Sequence, residues 1–184
     1  MKSFIASIGA LLSQGKTTGE NHSESMLHYT QMNVKRMERW EKKGALIPEV
    51  VEELNRITEP QNWVVLTEAW CGDAAHALPF ISKMAEVNPL ISFEIKLRDE
   101  NLELMDQFLT NGSRSIPKLI AYNESNQVLF DWGPRPQFIQ EEFLRMRKEG
   151  VPYQESSKVI QQLYNKDKGI TMQKEILSLL QSMK

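Results

Sequence analysis

The single cysteine of this chain, Cys71, has the sequence surroundings of a chemically active thiol. It closely follows residues 63–67 (WVVLT), an apolar, β-branched run that predicts a buried strand. It also directly precedes Gly72 and a helical pattern over about residues 73–87. A thiol at such a junction lies beside the unpaired N–H groups and the positive dipole end of the helix, which stabilise a thiolate. Its position alone favours a small buried hydrophobic residue, which is the usual role of a lone cysteine.

Three ionisable residues flank Cys71 in sequence. Asp73 either disfavours the thiolate as a neighbouring negative charge or is an ordinary acidic residue in the first turn of a helix. Glu68 is a candidate proton acceptor or a solvated residue at the edge of a strand. His76 is five residues further along and does not share the helix face of Cys71. Because this pair would lack further ligands, we expect no metal site.

Composition limits the function classes. Of the 184 residues, 41% are hydrophobic and 25% are charged, as in an ordinary globular protein. The formal net charge of -2 gives no electrostatic argument for binding nucleic acid or anionic lipid. No apolar run approaches the roughly 18 residues that would span a membrane, and Ser3 and Ser7 interrupt the short apolar stretch at the N-terminus. One cysteine excludes an internal disulfide, and a cytoplasmic location is expected.

Hydrophobic periodicity predicts a mixed α/β protein. The first helix follows a flexible lead-in over residues 13–25. The predicted helices cover about 26–43, from Pro48 onward, 73–87, 101–110, 136–148, 155–165 and 171–183, and the predicted strands cover 63–67, 91–97, 118–122 and 127–132. The central order β-α-β-α-β-β-α calls for a mixed sheet with helices on both faces. We expect a helical extension over 1–58, a core over 59–149 and a second helical extension over 150–184, all in one globular unit.

Three separated motifs resemble the thioredoxin family. The first is Trp70-Cys71-Gly72 with Pro79 eight residues beyond the cysteine. The second is Ile116-Pro117 before a predicted strand, and the third is Gly133 after the second strand of the predicted hairpin. Their order and spacing match the family over about residues 60–148. The resemblance implies a thioredoxin-like fold, a mixed central sheet flanked by helices, with extra helices at both ends.

The resemblance also implies a site. In the family, the Ile-Pro peptide bond is cis, packs against the attacking thiol, and presents the backbone of the preceding residue to an extended substrate segment. Cys71 is therefore the expected catalytic residue, although an ordinary trans turn proline remains the alternative at position 117. The expected substrate-binding residues are Trp70, Gly72, Asp73, Ile116 and Pro117. We expect Arg98 and Arg114 to be surface charges rather than part of this groove.

Departures from the family pattern leave two functions open. The resolving cysteine of the family corresponds to Ala74, and its buried carboxylate corresponds to Val65. We therefore favour monothiol exchange at Cys71, through a mixed disulfide with a protein or small thiol and without a cofactor. A low-molecular-weight thiol such as glutathione or bacillithiol would be the reductant. The alternative is a redox-inactive binding module that holds a partner segment in the groove. Nothing in the sequence supports an intermolecular disulfide.

Overall fold

A four-stranded mixed sheet forms the centre of the computed structural model, which describes residues 1–183. The strands are β1 (Gln61–Thr67), β2 (Ile91–Leu97), β3 (Lys118–Asn123) and β4 (Val128–Trp132). Their order in the sheet is β2-β1-β3-β4, with β1 parallel to β2 and the other two pairings antiparallel. The apolar run that predicted β1 is buried, as a central strand with both faces covered requires. The predicted fold class is therefore confirmed.

Helices cover this sheet, and the terminal helices pack onto the central ones. Their bounds are α1 (Lys2–Ser13), α2 (Glu24–Lys43), α3 (Pro48–Asn55), α4 (Gly72–Val87), α5 (Leu102–Met105), α6 (Gln137–Lys148), α7 (Tyr153–Asp167) and α8 (Ile170–Ser182). A short 3₁₀ helix covers Arg98–Glu100. Helix α2 packs on α4, where the rings of Trp40 and Phe80 lie 5.5 Å apart, and α3 packs on α8. No helix of the described chain is both long enough and apolar enough to cross a membrane.

The predicted flexible lead-in is instead anchored to the site-bearing part of the chain. Thr17 and Thr18 are both buried. The Thr17 hydroxyl lies 2.6 Å from the Thr30 hydroxyl on α2, and the Thr18 hydroxyl accepts the backbone N–H of Ala69 at 2.9 Å. The polar composition of residues 13–25 predicted a loop and gave no sign of this role. Buried hydroxyls can nevertheless satisfy backbone groups that no strand or helix pairs.

Two other predicted elements differ from the structure. The helix expected over 101–110 is only the four-residue α5, because Leu102 and Leu109 are exposed and supply little core contact to hold a longer helix. Helix α8 begins at Ile170 after Gly169, which has a φ of +78°, and is not capped by Thr171. The Thr171 hydroxyl instead donates to the Asp167 carboxylate, at the end of the preceding helix.

Candidate functional site

Cys71 is the N-cap of α4, and Pro117, which was expected at the site, lies beside it. Its sulfur accepts the backbone N–H of Ala74 at 3.5 Å, as an N-cap side chain does. The S–H group donates to the carbonyl oxygen of Ile116 at 3.4 Å. The Ile116–Pro117 peptide bond is cis. The structure thus brings together three of the residues that the sequence analysis singled out.

The Cys71 thiol is not poised as a thiolate. Only 7% of the residue is exposed. Burial raises the pKa of Cys71 to about 12, and the nearby Asp73 carboxylate acts in the same direction. The Ala74 N–H and the Arg135 guanidinium oppose these effects without overcoming them. The thiol is therefore protonated at neutral pH, which is the opposite of what the helix terminus alone would favour.

Asp73 is bound by the chain's own residues rather than open to a substrate. One carboxylate oxygen lies 2.7 Å from the Arg135 guanidinium, and the other accepts the Tyr164 hydroxyl at 3.0 Å. Burial raises the pKa of Asp73, while Arg135 and Tyr164 counteract the shift. Arg135 follows β4 and Tyr164 belongs to α7, so this cluster connects the start of α4 with two distant parts of the chain.

His76 packs against this cluster, and both of its ring nitrogens form hydrogen bonds with other side chains. Its ring stacks on Tyr164 with 4.5 Å between centroids. The Trp40 N–H donates to Nδ1 at 2.9 Å, so Nε2 carries the proton and donates to the Gln161 side chain at 2.7 Å. Burial lowers the pKa of His76 to about 4, so the ring is neutral. The described residues contain no group of three His, Cys, Asp or Glu side chains suited to a metal ion.

The other charged candidates divide between the interior and the surface. Glu68 is 1% exposed, so its interpretation as a solvated edge residue is wrong. Its Oε1 accepts the backbone N–H of Asp99 at 3.0 Å, and burial raises the pKa of Glu68. Arg114 is a surface charge, as expected, and forms an exposed ion pair with Asp106 at 2.6 Å.

Trp70 and Gly133 form the rim of the site. The partly exposed Trp70 ring carries the Arg98 guanidinium 5.2 Å from its centroid, so Arg98 lies closer to the groove than expected. Gly133 has a φ of +122°, and a Cβ there would lie 2.2 Å from the Pro117 carbonyl oxygen. A glycine is therefore required for the segment after β4 to approach Pro117.

Helix α7 packs against the start of α4, which the sequence analysis did not predict. Gly72 packs under α7, where a Cβ would lie 3.2 Å from the Gln161 side-chain nitrogen. A cavity of about 80 Å³ remains between α2, the start of α4, and α7, with Arg36 and Tyr153 in its wall. No local motif marks these residues, because helices distant in sequence contribute them.

Comparison with known proteins places the chain in a family. A family model described as Thioredoxin matches residues 19–150. The chain belongs to the thioredoxin family. The match begins before α2 and ends before α7, so this thioredoxin family protein contributes the helix that closes its site from outside the matched region.

Solved structures share the fold of this thioredoxin family protein. The Pseudomonas aeruginosa protein PA1234, of unknown function, is 17% identical with a TM-score of 0.61, covering 96% of this chain and 92% of its own. An HIV epitope-scaffold is also 17% identical, with a TM-score of 0.58 and coverage of 95% and 97%. Likenesses at this identity show the fold alone. No curated protein matches the chain significantly.

Proposed function

We propose that this thioredoxin family protein is a binding module in which Cys71 does not act as a nucleophile. The observation that carries the proposal is the buried Cys71 thiol, whose pKa is about 12. The thiolate is the reactive form of cysteine, and at pH 7 it amounts to only about one molecule in 10⁵ at that pKa. The remaining features of the groove, the cis proline and the aromatic rim, do not require a reactive thiol.

The proposed ligand is an extended polypeptide segment of a partner protein in the cytoplasm. Only 7% of Ile116 is exposed, so the site would have to open before its backbone could pair with this segment as an added strand does, with the Trp70 ring covering the segment. The Ile116 carbonyl accepts the S–H of Cys71 at 3.4 Å. An S–H group is a weak donor, so a backbone N–H from the partner would be a stronger donor to this carbonyl.

Intact-mass analysis after incubation with oxidised glutathione at neutral pH tests the absence of thiol chemistry. We expect no adduct on the native protein and a single adduct on the protein unfolded in denaturant, because unfolding exposes Cys71. A stoichiometric adduct on the native protein that free thiol reverses would overturn the proposal.

Selection of a displayed random-peptide library tests the groove itself. We expect the wild type and Cys71→Ser to retain the same peptides, and Trp70→Ala to lose them. Peptides that bind the wild type but not Cys71→Ser would contradict a groove that works without the thiol. So would peptides that bind Trp70→Ala as well as the wild type.

Monothiol exchange is the second candidate, and the position of the Cys71 sulfur favours it. The sulfur lies at the N-terminus of α4 and next to the cis Ile116–Pro117 bond. In this function the Cys71 thiolate attacks a disulfide, forms a mixed disulfide and releases the other thiolate. Glutathione or bacillithiol then attacks the mixed disulfide and restores Cys71. Access would require opening of the Asp73, Arg135 and Tyr164 contacts, and the native glutathione adduct described above is its expected sign.

A further inference from the structure

We infer that the cavity between α2, the start of α4, and α7 binds a small oxyanion. The site is separate from the sulfur of Cys71, which does not line the cavity. The inference names a ligand chemistry for a binding module, but it does not depend on the state of the thiol. It depends on the charges and hydrogen-bond donors of the cavity wall.

Two guanidinium groups in the cavity wall share one carboxylate. Arg135 takes the ion pair with Asp73 at 2.7 Å, whereas Arg36 donates at 2.8 Å to the uncharged amide oxygen of Asn33. No carboxylate within the described residues forms an ion pair with Arg36. Burial lowers the pKa of Arg36, with repulsion from Arg39 in the same direction. The Asp73 carboxylate acts in the opposite direction without an ion pair, so the positive charge of the half-buried Arg36 is only partly compensated.

Arg135 also keeps an unused donor. Its Nη1 donates to Gln140 at 3.0 Å and its Nη2 contacts Asp73, but its buried Nε has no hydrogen-bond partner within the described residues. The Phe143 ring lies under the guanidinium at 4.1 Å and holds it in place. A buried N–H without a partner is costly, so the chain's own groups do not fully satisfy the Arg135 guanidinium.

The rest of the wall suits an oxyanion. Besides Arg36, Arg135 and Asp73, the polar side chains that line the cavity include the phenols of Tyr29 and Tyr153 and the hydroxyl of Ser157, all of which can donate a hydrogen bond. The volume of about 80 Å³ exceeds what one water needs and is suited to one carboxylate or phosphate group. A carboxylate and a phosphate ester have this chemistry in common.

Thermal unfolding and calorimetry with inorganic phosphate and with acetate test the site, using sodium chloride at matched ionic strength as the reference. We expect a saturable rise in Tm with at least one of the two anions. A stronger response to phosphate assigns a phosphate ester, and a stronger response to acetate assigns a carboxylate. The inference is wrong if neither anion has an effect beyond that of chloride.

Variants of the cavity wall make the test specific. Arg36→Gln should weaken binding at least tenfold, whereas Arg145→Gln should leave it unchanged. Arg145 is an exposed arginine on α6, paired with Glu142 and Glu149 and outside the cavity. Equal binding by the wild type and Arg36→Gln would overturn the inference.

Two further variants keep the test decisive. If Arg36→Gln does not fold, Ser157→Glu replaces it, because it places a carboxylate in the cavity wall. It should raise Tm without added anion and lose the phosphate and acetate response, and a retained response would overturn the inference. Cys71→Ser should bind the anion as the wild type does. If Cys71→Ser still binds the anion, the inference holds even if native Cys71 proves reactive and the proposed function fails.

Discussion

The reactivity of Cys71 toward a small disulfide can be predicted from its protonation. The buried thiol has a pKa of about 12, against an ordinary value of 9.0, so its thiolate fraction at pH 7 is about a thousandfold lower than in the unfolded chain. A more basic thiolate is a better nucleophile, with a Brønsted coefficient of about 0.4–0.5, which restores about 16- to 32-fold. Native Cys71 should therefore react about 30- to 60-fold more slowly than unfolded Cys71, before any steric shielding.

The assay is the release of thionitrobenzoate from Ellman's reagent at pH 7, with and without guanidinium chloride. Cys71 is the only cysteine, so the signal has one source, and Cys71→Ser supplies the blank. A short cysteine peptide measured in both solutions corrects for the effect of denaturant on the reagent. If native Cys71 reacts as fast as the unfolded chain, the reasoning from burial is refuted.

Substituting Asp73 separates the two causes of the high pKa. Burial is the larger cause and the Asp73 carboxylate is the second. Asp73→Asn removes the negative charge and leaves Cys71 buried, so the native rate should rise but stay below that of the unfolded chain. A rate unchanged in Asp73→Asn would mean that the carboxylate does not act on the sulfur.

Three further predictions concern stability, measured by denaturant unfolding. The pKa of Cys71 is about 12 in the folded chain and 9.0 when unfolded, so its contribution to the free energy of unfolding is complete below pH 9 and is lost as the pH rises toward 12. By pH 10.5 the free energy of unfolding of the wild type should fall by about 2 kcal/mol more than that of Cys71→Ser. Parallel pH profiles of the two proteins would contradict the raised pKa. The pKa of His76 is about 4 in the folded chain against an ordinary value of 6.5, so its contribution to the free energy of unfolding is present above pH 6.5 and is lost as the pH falls toward 4. Between pH 8 and pH 5 the free energy of unfolding of the wild type should fall by about 2 kcal/mol more than that of His76→Gln. An equal fall in both proteins would exclude a buried neutral ring. Gly133→Ala should lower the free energy of unfolding by at least about 3 kcal/mol, because the new Cβ would lie 2.2 Å from the Pro117 carbonyl oxygen. The control Gly112→Ala, at a φ of +73° in open space, should lower it by only about 1–2 kcal/mol. Similar losses in the two variants would show that the close approach is absent.

The elements that carry the sulfur could be predicted because their signals are local. An uninterrupted apolar run has few alternatives to a buried strand, and β1 covers it with two further residues at its start. The first turn of α4 begins one residue before the predicted start. The contact between Cys71 and Ile116 depends on a long-range pairing, and only the family resemblance pointed to it.

The closure of the site could not be predicted, because no local pattern encodes it. Asp73 is an unremarkable first-turn residue in sequence, and its partners Arg135 and Tyr164 lie more than sixty and ninety residues away. The contact of Thr18 could not be predicted either. A polar residue in a predicted loop carries no sign that its hydroxyl will accept the Ala69 N–H. Such contacts depend on which helices meet in space.

The sequence by itself determined that a strand would lead into a helix with a lone thiol at its start, because hydrophobic runs and glycine or proline signals act over a few residues. Only the tertiary structure decided the chemical state of that thiol. Burial in the folded chain, together with the Asp73 carboxylate nearby, raises the pKa of Cys71 to about 12. Desolvation depends on everything that surrounds a group, so it is a property of the assembled fold rather than of any motif.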